Sequence, residues 1–222
     1  MQEMKFPILY SFKRCPYAMR ARMAIQLAKI RCEIREIRLN NKPEHMLEAS
    51  PKGTVPVLIL EDKIIDESIE IIEWVLDQDN VFEGNLNQNQ VVLSEELISI
   101  FDEKFKYHLD RYKYAARYNN ANSDKNRSQC MEILIELNQI ISNKKWIFGE
   151  SINKLDISIL PFIRQFRIAN PEWFDMQVSI HSVKRVLNNF LESDLLNEIM
   201  INYDEWKEGS KPEYFPIFNL SD

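Results

Sequence analysis

Hydrophobic and polar positions follow two different rhythms along this chain. Up to about residue 78, short apolar runs alternate with helical stretches. Phe6 to Tyr10 is a short apolar run with aromatics, closed by SFKRCP, and predicts a strand. Pro16 to Lys29 is rich in helix formers, and Met19, Met23 and Leu27 fall every fourth residue, which marks one buried helix face. Pro16 suits the first helical turn, where its missing N–H costs nothing. Cys32 to Leu39 alternates, with one irregularity, and predicts a second strand. Pro43 to Ala49 predicts a short helix, and Pro56–Leu60 with Lys63–Ile65 predicts two strands around a turn at Glu61-Asp62-Lys63. A helix then opens at Asp66 and runs through Leu76, with Ile69, Ile72, Trp74 and Leu76 as its apolar surface. The order is β-α-β-α-β-β-α. A strand–helix–strand start implies a right-handed crossover and a parallel pair, and the closing hairpin adds antiparallel strands.

From Asn87 onward the rhythm is helical. Ile98, Phe101, Phe105, Leu109, Tyr112 and Ala116 step by threes and fours, as do Cys130, Leu134, Leu137 and Ile141. Asn153-Lys-Leu-Asp156 has the form of a capping box ahead of an apolar helix over 154–169. Further helices are expected at about 177–190 and 193–202. The polar stretch 79–90, DNVFEGNLNQNQ, reads as a linker. The expected organisation is a small α/β domain over residues 1–78, the linker 79–90, and an all-helical domain over 91–222.

The chain has 222 residues, 45% of them hydrophobic, enough for a sizeable core in one large or two small domains. A net charge of −6 argues against nucleic acid as a partner, although FKYHLDRYKYAARY imitates a basic, aromatic binding stretch. No run approaches the roughly 18 apolar residues of a membrane span. The N-terminal stretch lacks the basic and apolar regions of a secretory signal. Three cysteines without close spacing argue against a disulfide framework, so a reducing, cytoplasmic setting is expected. His45, His108 and His181 lie far apart, and no metal is expected.

Cys15 is the one chemically pointed residue. It lies at the expected start of the first helix, where unpaired N–H groups and the helix dipole favour an anion such as a thiolate. Lys13 and Arg14 add positive charge from the turn, while Arg20 and Arg22, a turn or more along, are free to face elsewhere. Two readings stand: a reactive nucleophile, or a small apolar residue buried and inert. Cys32 and Cys130 continue apolar patterns and fit the second reading. Cys15-Pro16-Tyr17-Ala18 lacks the second cysteine of a C-x-x-C pair, so Cys15 has no resolving thiol in its own turn. Its chemistry is then a mixed disulfide or thioether with a partner, which points to a small thiol such as glutathione.

These residues resemble the cytosolic glutathione transferases over essentially the whole chain. Cys-Pro-Tyr-Ala-x-Arg-x-Arg at 15–22 is similar to the omega-class signature, Asn41-Lys-Pro-Glu44 to the segment that brings a lysine to the glycyl carboxylate, Ser50-Pro-Lys-Gly-Thr-Val-Pro-Val57 to the cis-proline loop, and Glu67-Ser68 to the pair that holds the γ-glutamyl group. The resemblance implies a thioredoxin-like domain joined to an all-α domain, with glutathione as co-substrate. It also implies a homodimer without metal, nucleic acid or membrane partner. It makes Cys15 catalytic and assigns Lys42, Val55, Pro56, Glu67 and Ser68 to glutathione, with Tyr17 beside them and Lys52 as an extra carboxylate partner; a merely solvated lysine in a polar loop is the alternative for Lys42. A cis peptide before Pro56 would expose the Val55 N–H and C=O to the cysteinyl part of glutathione as a strand edge does; a trans proline opening a strand is the alternative. Ser68, in a first helical turn, suits a carboxylate, and Glu67 suits an amino group; a plain helix cap is the alternative for both. Gly149 with Asn153 and Asp156 resembles the capping box and staple of the family's helical domain.

The second substrate is expected between the domains, bordered by Phe12, Tyr107, Arg111 and Tyr114; a solvated or dimer-packed face is the alternative for the last three. The activity implied is glutathione-dependent thiol transfer, with dehydroascorbate reduction as a related activity. Conjugation ranks lower, because a cysteine is a poor activator of bound glutathione. A non-enzymatic binding or regulatory protein is the competing class.

Overall fold

The computed structural model describes residues 6–82, 84, 86–119 and 121–217. They fall into two compact units, Met1–Val81 with Asp194–Asp222, and Phe82–Ser193.

The first unit is built on a five-stranded sheet. Its strands are β1 (Ile8–Ser11), β2 (Cys32–Glu36), β3 (Val57–Ile59), β4 (Ile64–Ile65) and β5 (Glu213–Phe215), in the order β4-β3-β1-β2-β5. β1 pairs with β2 in parallel, and the other pairings are antiparallel. α1 (Pro16–Leu27), α2 (Glu44–Ala49) and α3 (Ser68–Gln78) complete the expected order. β2 is shorter than expected. It stops at Glu36, although Ile37 remains buried and its N–H still reaches the Ser11 carbonyl at 2.9 Å.

α1 differs from the one-faced helix that its methionine spacing predicts. Every residue from Ala18 to Ile25 is buried, Arg20 and Arg22 included. The helix packs on α3 and also on α10 (Asp194–Ile199), so two faces are covered instead of one.

α10 and β5 depart from the expected helical domain over 91–222. Asp194–Asp222 belongs with the first unit. β2 would otherwise be an edge strand with unpaired backbone groups. β5 pairs with it from Cys32↔Phe215 to Ile34↔Glu213. Phe215 is fully buried, and the Tyr214 ring meets Phe6 edge-on at 5.3 Å with the Arg31 guanidinium over it at 4.6 Å. The stretch FNLSD beyond Ile217 lies outside the described residues.

The second unit is helical. α4 (Gln88–Ile100) runs through a π-helical turn (Phe101–Phe105) into α5 (Lys106–Lys113), and a 3₁₀ turn follows at Ala115–Arg117. α6 (Ser123–Ile140), α7 (Lys154–Ala169), α8 (Pro171–Asp175) and α9 (His181–Leu191) complete it. The linker expected over 79–90 is cut short at its C-terminal end. Asn87 accepts the Gln90 N–H at 3.0 Å, and the Gln90 side chain accepts the Asn87 N–H at 3.0 Å. The polar residues that read as a linker thus form a helix start. Phe101 and Phe105 stack at 4.5 Å, Phe105 meets Phe166 edge-on at 5.8 Å, and Leu134, Phe162, Leu187 and Phe190 of the same unit are fully buried. Among the described residues no helix is long and apolar enough to cross a membrane.

Candidate active site

β1 ends at Ser11, and four residues, 12–15, lead from it into α1. Cys15 is the N-cap of that helix, with extended backbone (φ −74°, ψ 124°) and Pro16 behind it at the first helical position. Its N–H closes the turn on the Phe12 carbonyl at 2.9 Å, and its own carbonyl accepts the Met19 N–H at 2.9 Å. Cys15 is half-buried and packs on an apolar cluster that includes Tyr10, Val55 and Val57. Sγ lies 3.6 Å from the Val55 carbonyl oxygen, as a weak S–H donor to it. Cys15 makes no side-chain cap bond, and the first turn of α1 carries no acidic residue. The electrostatics of an N-terminus are thereby left in favour of an added negative charge.

The loop facing it carries a cis Val55–Pro56 peptide. Gly53 holds a left-handed turn (φ +61°), where a Cβ would stand 3.1 Å from Leu47 Cδ2 and 3.4 Å from Lys42 Nζ. Lys42 is therefore packed against this loop. It also lines a cleft of about 610 Å³ together with Arg35, His45 and Trp206. Ser50 donates to Asp66 at 2.7 Å, and Lys52 pairs with both Asp66 (3.1 Å) and Glu67 (2.7 Å). The Ser50 hydroxyl first, and then Lys52, holds the Asp66 carboxyl below its ordinary range; Glu67 and Asp66 raise the Lys52 ammonium in return.

Glu67 is the extended N-cap of α3, with an exposed side chain, and Ser68 is the helix's first residue, buried. Arg20 donates to the Ser68 hydroxyl at 3.3 Å and lies over the Tyr17 ring at 5.3 Å. Phe12 packs on the same apolar cluster as Cys15. In the first unit, Cys15, Phe12 and Val55 therefore share one cluster, and Lys52, Glu67 and Ser68 meet around the start of α3.

Tyr107, Arg111 and Tyr114 lie in the second unit. Arg111 stacks on Tyr107 at 3.4 Å and faces Tyr118 at 4.5 Å, and Arg117 lies over Tyr114 at 4.4 Å. Tyr107 and Tyr114 are exposed. Cys32 and Cys130 are fully buried, donating to the carbonyls of Phe215 (3.3 Å) and Phe105 (3.8 Å), and burial pushes both thiols up. Among the described residues no group of three or more His, Cys, Asp or Glu is arranged to hold a metal.

The sequence reading missed the support beneath the site: Ser50, Asp66, Arg20, Arg22 and Glu36. Arg20 and Arg22 had a signal, since both interrupt an otherwise apolar helix immediately after Cys15. Glu36 had none, because a charge in an alternating strand ordinarily faces water.

Residues 9–84 match the N-terminal domain family of the glutathione S-transferases. A probable glutathione transferase of Aplysia californica is 35% identical over 63 residues, covering 28% of this chain and 68% of that protein. Glutathione S-transferase omega-1 of Rattus norvegicus is 41% identical over 68 residues, 30% of this chain and 28% of that one. The probable glutathione S-transferase DHAR2, chloroplastic, of Oryza sativa subsp. japonica is 24% identical over 208 residues, 90% of this chain and 70% of that one. Among solved structures, glutathione transferase Omega 3C from Trametes versicolor superposes with a TM-score of 0.75 over 92% of this chain and 93% of that one, at 16% identity.

Proposed function

This chain belongs to the glutathione S-transferase superfamily as an omega-like enzyme, and we propose that it is a glutathione-dependent thiol transferase whose nucleophile is Cys15. The observation that carries the reading is the position of Sγ, at the N-cap of α1 and 3.6 Å from the Val55 carbonyl. A sulfur there meets both a field that favours the thiolate and a backbone edge against which the cysteinyl part of glutathione can lie.

The Cys15 thiolate attacks the glutathionyl sulfur of a mixed disulfide. The S–S bond breaks, the departing thiolate takes a proton from water, and Cys15 is left glutathionylated. A second glutathione, as its thiolate, attacks the same glutathionyl sulfur. Oxidised glutathione leaves and the Cys15 thiolate is restored, so the disulfide bond passes from substrate to glutathione through the protein. Dehydroascorbate reduction is a related activity that the resemblance to the omega class implies.

The other residues bind and orient. Val55 pairs with the cysteinyl backbone, with Pro56 shaping the loop. Ser68 takes the γ-glutamyl carboxylate, aided by the start of α3, and Glu67 takes the amino group. Lys42 takes the glycyl carboxylate. Lys52, already paired with Asp66 and Glu67, works mainly by fixing Glu67. Tyr17 and Phe12 border the thiol, and Tyr107, Arg111 and Tyr114 are the candidates for holding the second substrate. On this reading the enzyme acts in the cytoplasm as a homodimer.

The test is the intact mass of the protein after incubation with oxidised glutathione. The wild type is expected to gain one glutathionyl group and Cys15→Ser none. No adduct on the wild type, or an adduct that persists in the variant, would overturn Cys15 as the reactive centre.

A further inference from the structure

The peptide of Lys13, two residues before Cys15, is gripped from both sides by charged side chains. Its N–H donates to Glu36 Oε1 at 2.5 Å, and its carbonyl accepts from Arg22 Nη2 at 2.7 Å. Glu36 is the last residue of β2, and Arg22 sits two turns into α1. The two meet each other as well, with Arg22 Nη1 3.8 Å from Glu36 Oε2. Arg22 is fully buried, and among the described residues its Nε and Nη1 have no hydrogen-bond partner, nor does Glu36 Oε2.

This is an expensive arrangement. A guanidinium taken wholly out of water loses several kcal/mol of hydration, which only well-formed bonds and nearby charge offset. Burial pushes the Arg22 guanidinium down, opposed by Glu36, Tyr203 and Cys15 in that order; burial likewise pushes Glu36 up. Stability alone does not account for it, because an apolar side chain in that place would avoid the cost. The charge does have a use beside Cys15.

We propose that Arg22 and Glu36 are positioning residues for Cys15, fixing the turn that presents the thiol and setting its acidity with opposite signs. The inference rests on Cys15 being the nucleophile. The turn itself closes on the Cys15 N–H, so a shift of the Lys13 peptide moves Sγ directly. The charged and titratable groups on the elements around Cys15 include Tyr10 of β1, Lys13 and Arg14 of the turn, Tyr17, Arg20 and Arg22 of α1, Glu36 of β2, Glu67 before α3, and Tyr203 of the segment after α10. Arg20 is buried as well but reaches Ser68 at the start of α3; Arg22 is the buried cation that bonds the turn, with Glu36 as its counter-charge.

The experiment follows the rate of Cys15 alkylation by iodoacetamide against pH, read by mass on the peptide that carries Cys15. The full chain is compared with Arg22→Gln, Arg22→Lys and Glu36→Gln, with circular dichroism as a check of fold. Arg22→Gln is expected to raise the apparent thiol pKa by about one unit and slow alkylation below that pKa about tenfold. Glu36→Gln is expected to lower the pKa, and Arg22→Lys, which keeps the charge without the fork, to fall between wild type and Arg22→Gln. A purely structural role would move both neutral variants in the same direction, and that result would overturn the proposal. If Arg22→Gln does not fold, the sign of the Glu36→Gln shift and the Arg22→Lys profile decide. A wild-type thiol that titrates near the free value of about 8.5 would overturn the nucleophile reading and this one together. A depressed wild-type value that no variant moves would overturn this one alone.

Discussion

Helices α1 and α7 both begin with a residue in extended backbone, yet the two starts are finished in opposite ways. At α7, Asn153 accepts the N–H groups of Leu155 (2.9 Å) and Asp156 (3.3 Å), while the Asp156 carboxylate accepts those of Asn153 (2.9 Å) and Ile147 (3.0 Å). The protein itself supplies the negative charge that a helix N-terminus favours, and Asn153 and Asp156 are buried with it. At α1, the N-cap is Cys15, with no side-chain cap bond and no acid in the first turn. One start is closed for stability. The other keeps its field for a charge that comes and goes, either the thiolate or what it binds. Substitutions at α1 should therefore change chemistry more than folding, and those at α7 the reverse.

The strongest test of that contrast is Cys15→Ser. Loss of the nucleophile should lower thiol transfer from a glutathione mixed disulfide by a factor on the order of 10³ or more, with the melting temperature nearly unchanged. The counterpart at α7 is Asp156→Ala, which strips the acceptors from two buried backbone N–H groups. At about 1–3 kcal/mol per orphaned donor, roughly 3 kcal/mol of stability should go in denaturant titration. Cys15 alkylation in the folded fraction should keep its rate. If Asp156→Ala instead altered the thiol's pH profile, the separation of roles would fail.

Asp156 also gives the α7 start a pH signature. Burial pushes its carboxyl up to about 7, against the backbone N–H groups that favour the anion, from an ordinary value of 3.8. The folded chain then holds more protons than the unfolded chain between those values, so stability falls as pH rises. This contribution is complete below about 4 and lost as pH passes 7. Asp156→Asn should remove that slope. Melts at pH 5 and pH 8 should therefore converge in the variant more than in the wild type, and an unchanged difference would refute the assignment.

How much of this was legible depended on whether a residue's partner was near in sequence. The Asn153–Asp156 box lies within four residues and could be read directly, as could the β-α-β-α-β-β-α order, since each element carries its own period. Cys15-Pro16 at a strand-to-helix junction was equally local. The return of Asp194–Asp222 to the first unit was not, because Tyr214 and Phe215 carry no sign that their partner is the edge of β2, far back along the chain. Nor was the grip of Arg22 and Glu36 on Lys13, since exposed and buried charges look alike in a sequence. Gln88–Gln90 failed for a different reason: polar residues serve linkers and helix caps equally, and the reciprocal bonds of Asn87 and Gln90 decide between them.

A smaller effect should come from Ser68, at the start of α3. Ser68→Ala removes a hydroxyl and leaves the helix N–H groups in place. KM for glutathione should rise about tenfold, the worth of one hydrogen bond to a charged group, with kcat little changed. A fall in kcat at constant KM would instead place Ser68 in the chemical step. Glu67→Gln should act in the same direction, with the loss of the Lys52 pair adding little because both side chains are exposed.

The smallest effect separates the two ingredients of the α7 start, the bonding pattern and its burial. Asn87 and Gln90 make the same reciprocal pattern at the start of α4, with both bonds at 3.0 Å, but exposed to solvent. Water can replace a lost acceptor there and cannot inside the protein. Asn87→Ala should then cost about 0.5–1 kcal/mol, the low end for an N-cap, and Asn153→Ala about 2 kcal/mol, the high end. Paired denaturant titrations would measure both. Equal costs would mean that the cap geometry alone sets the stabilisation, and that burial of the α7 start adds nothing to what an exposed box already provides.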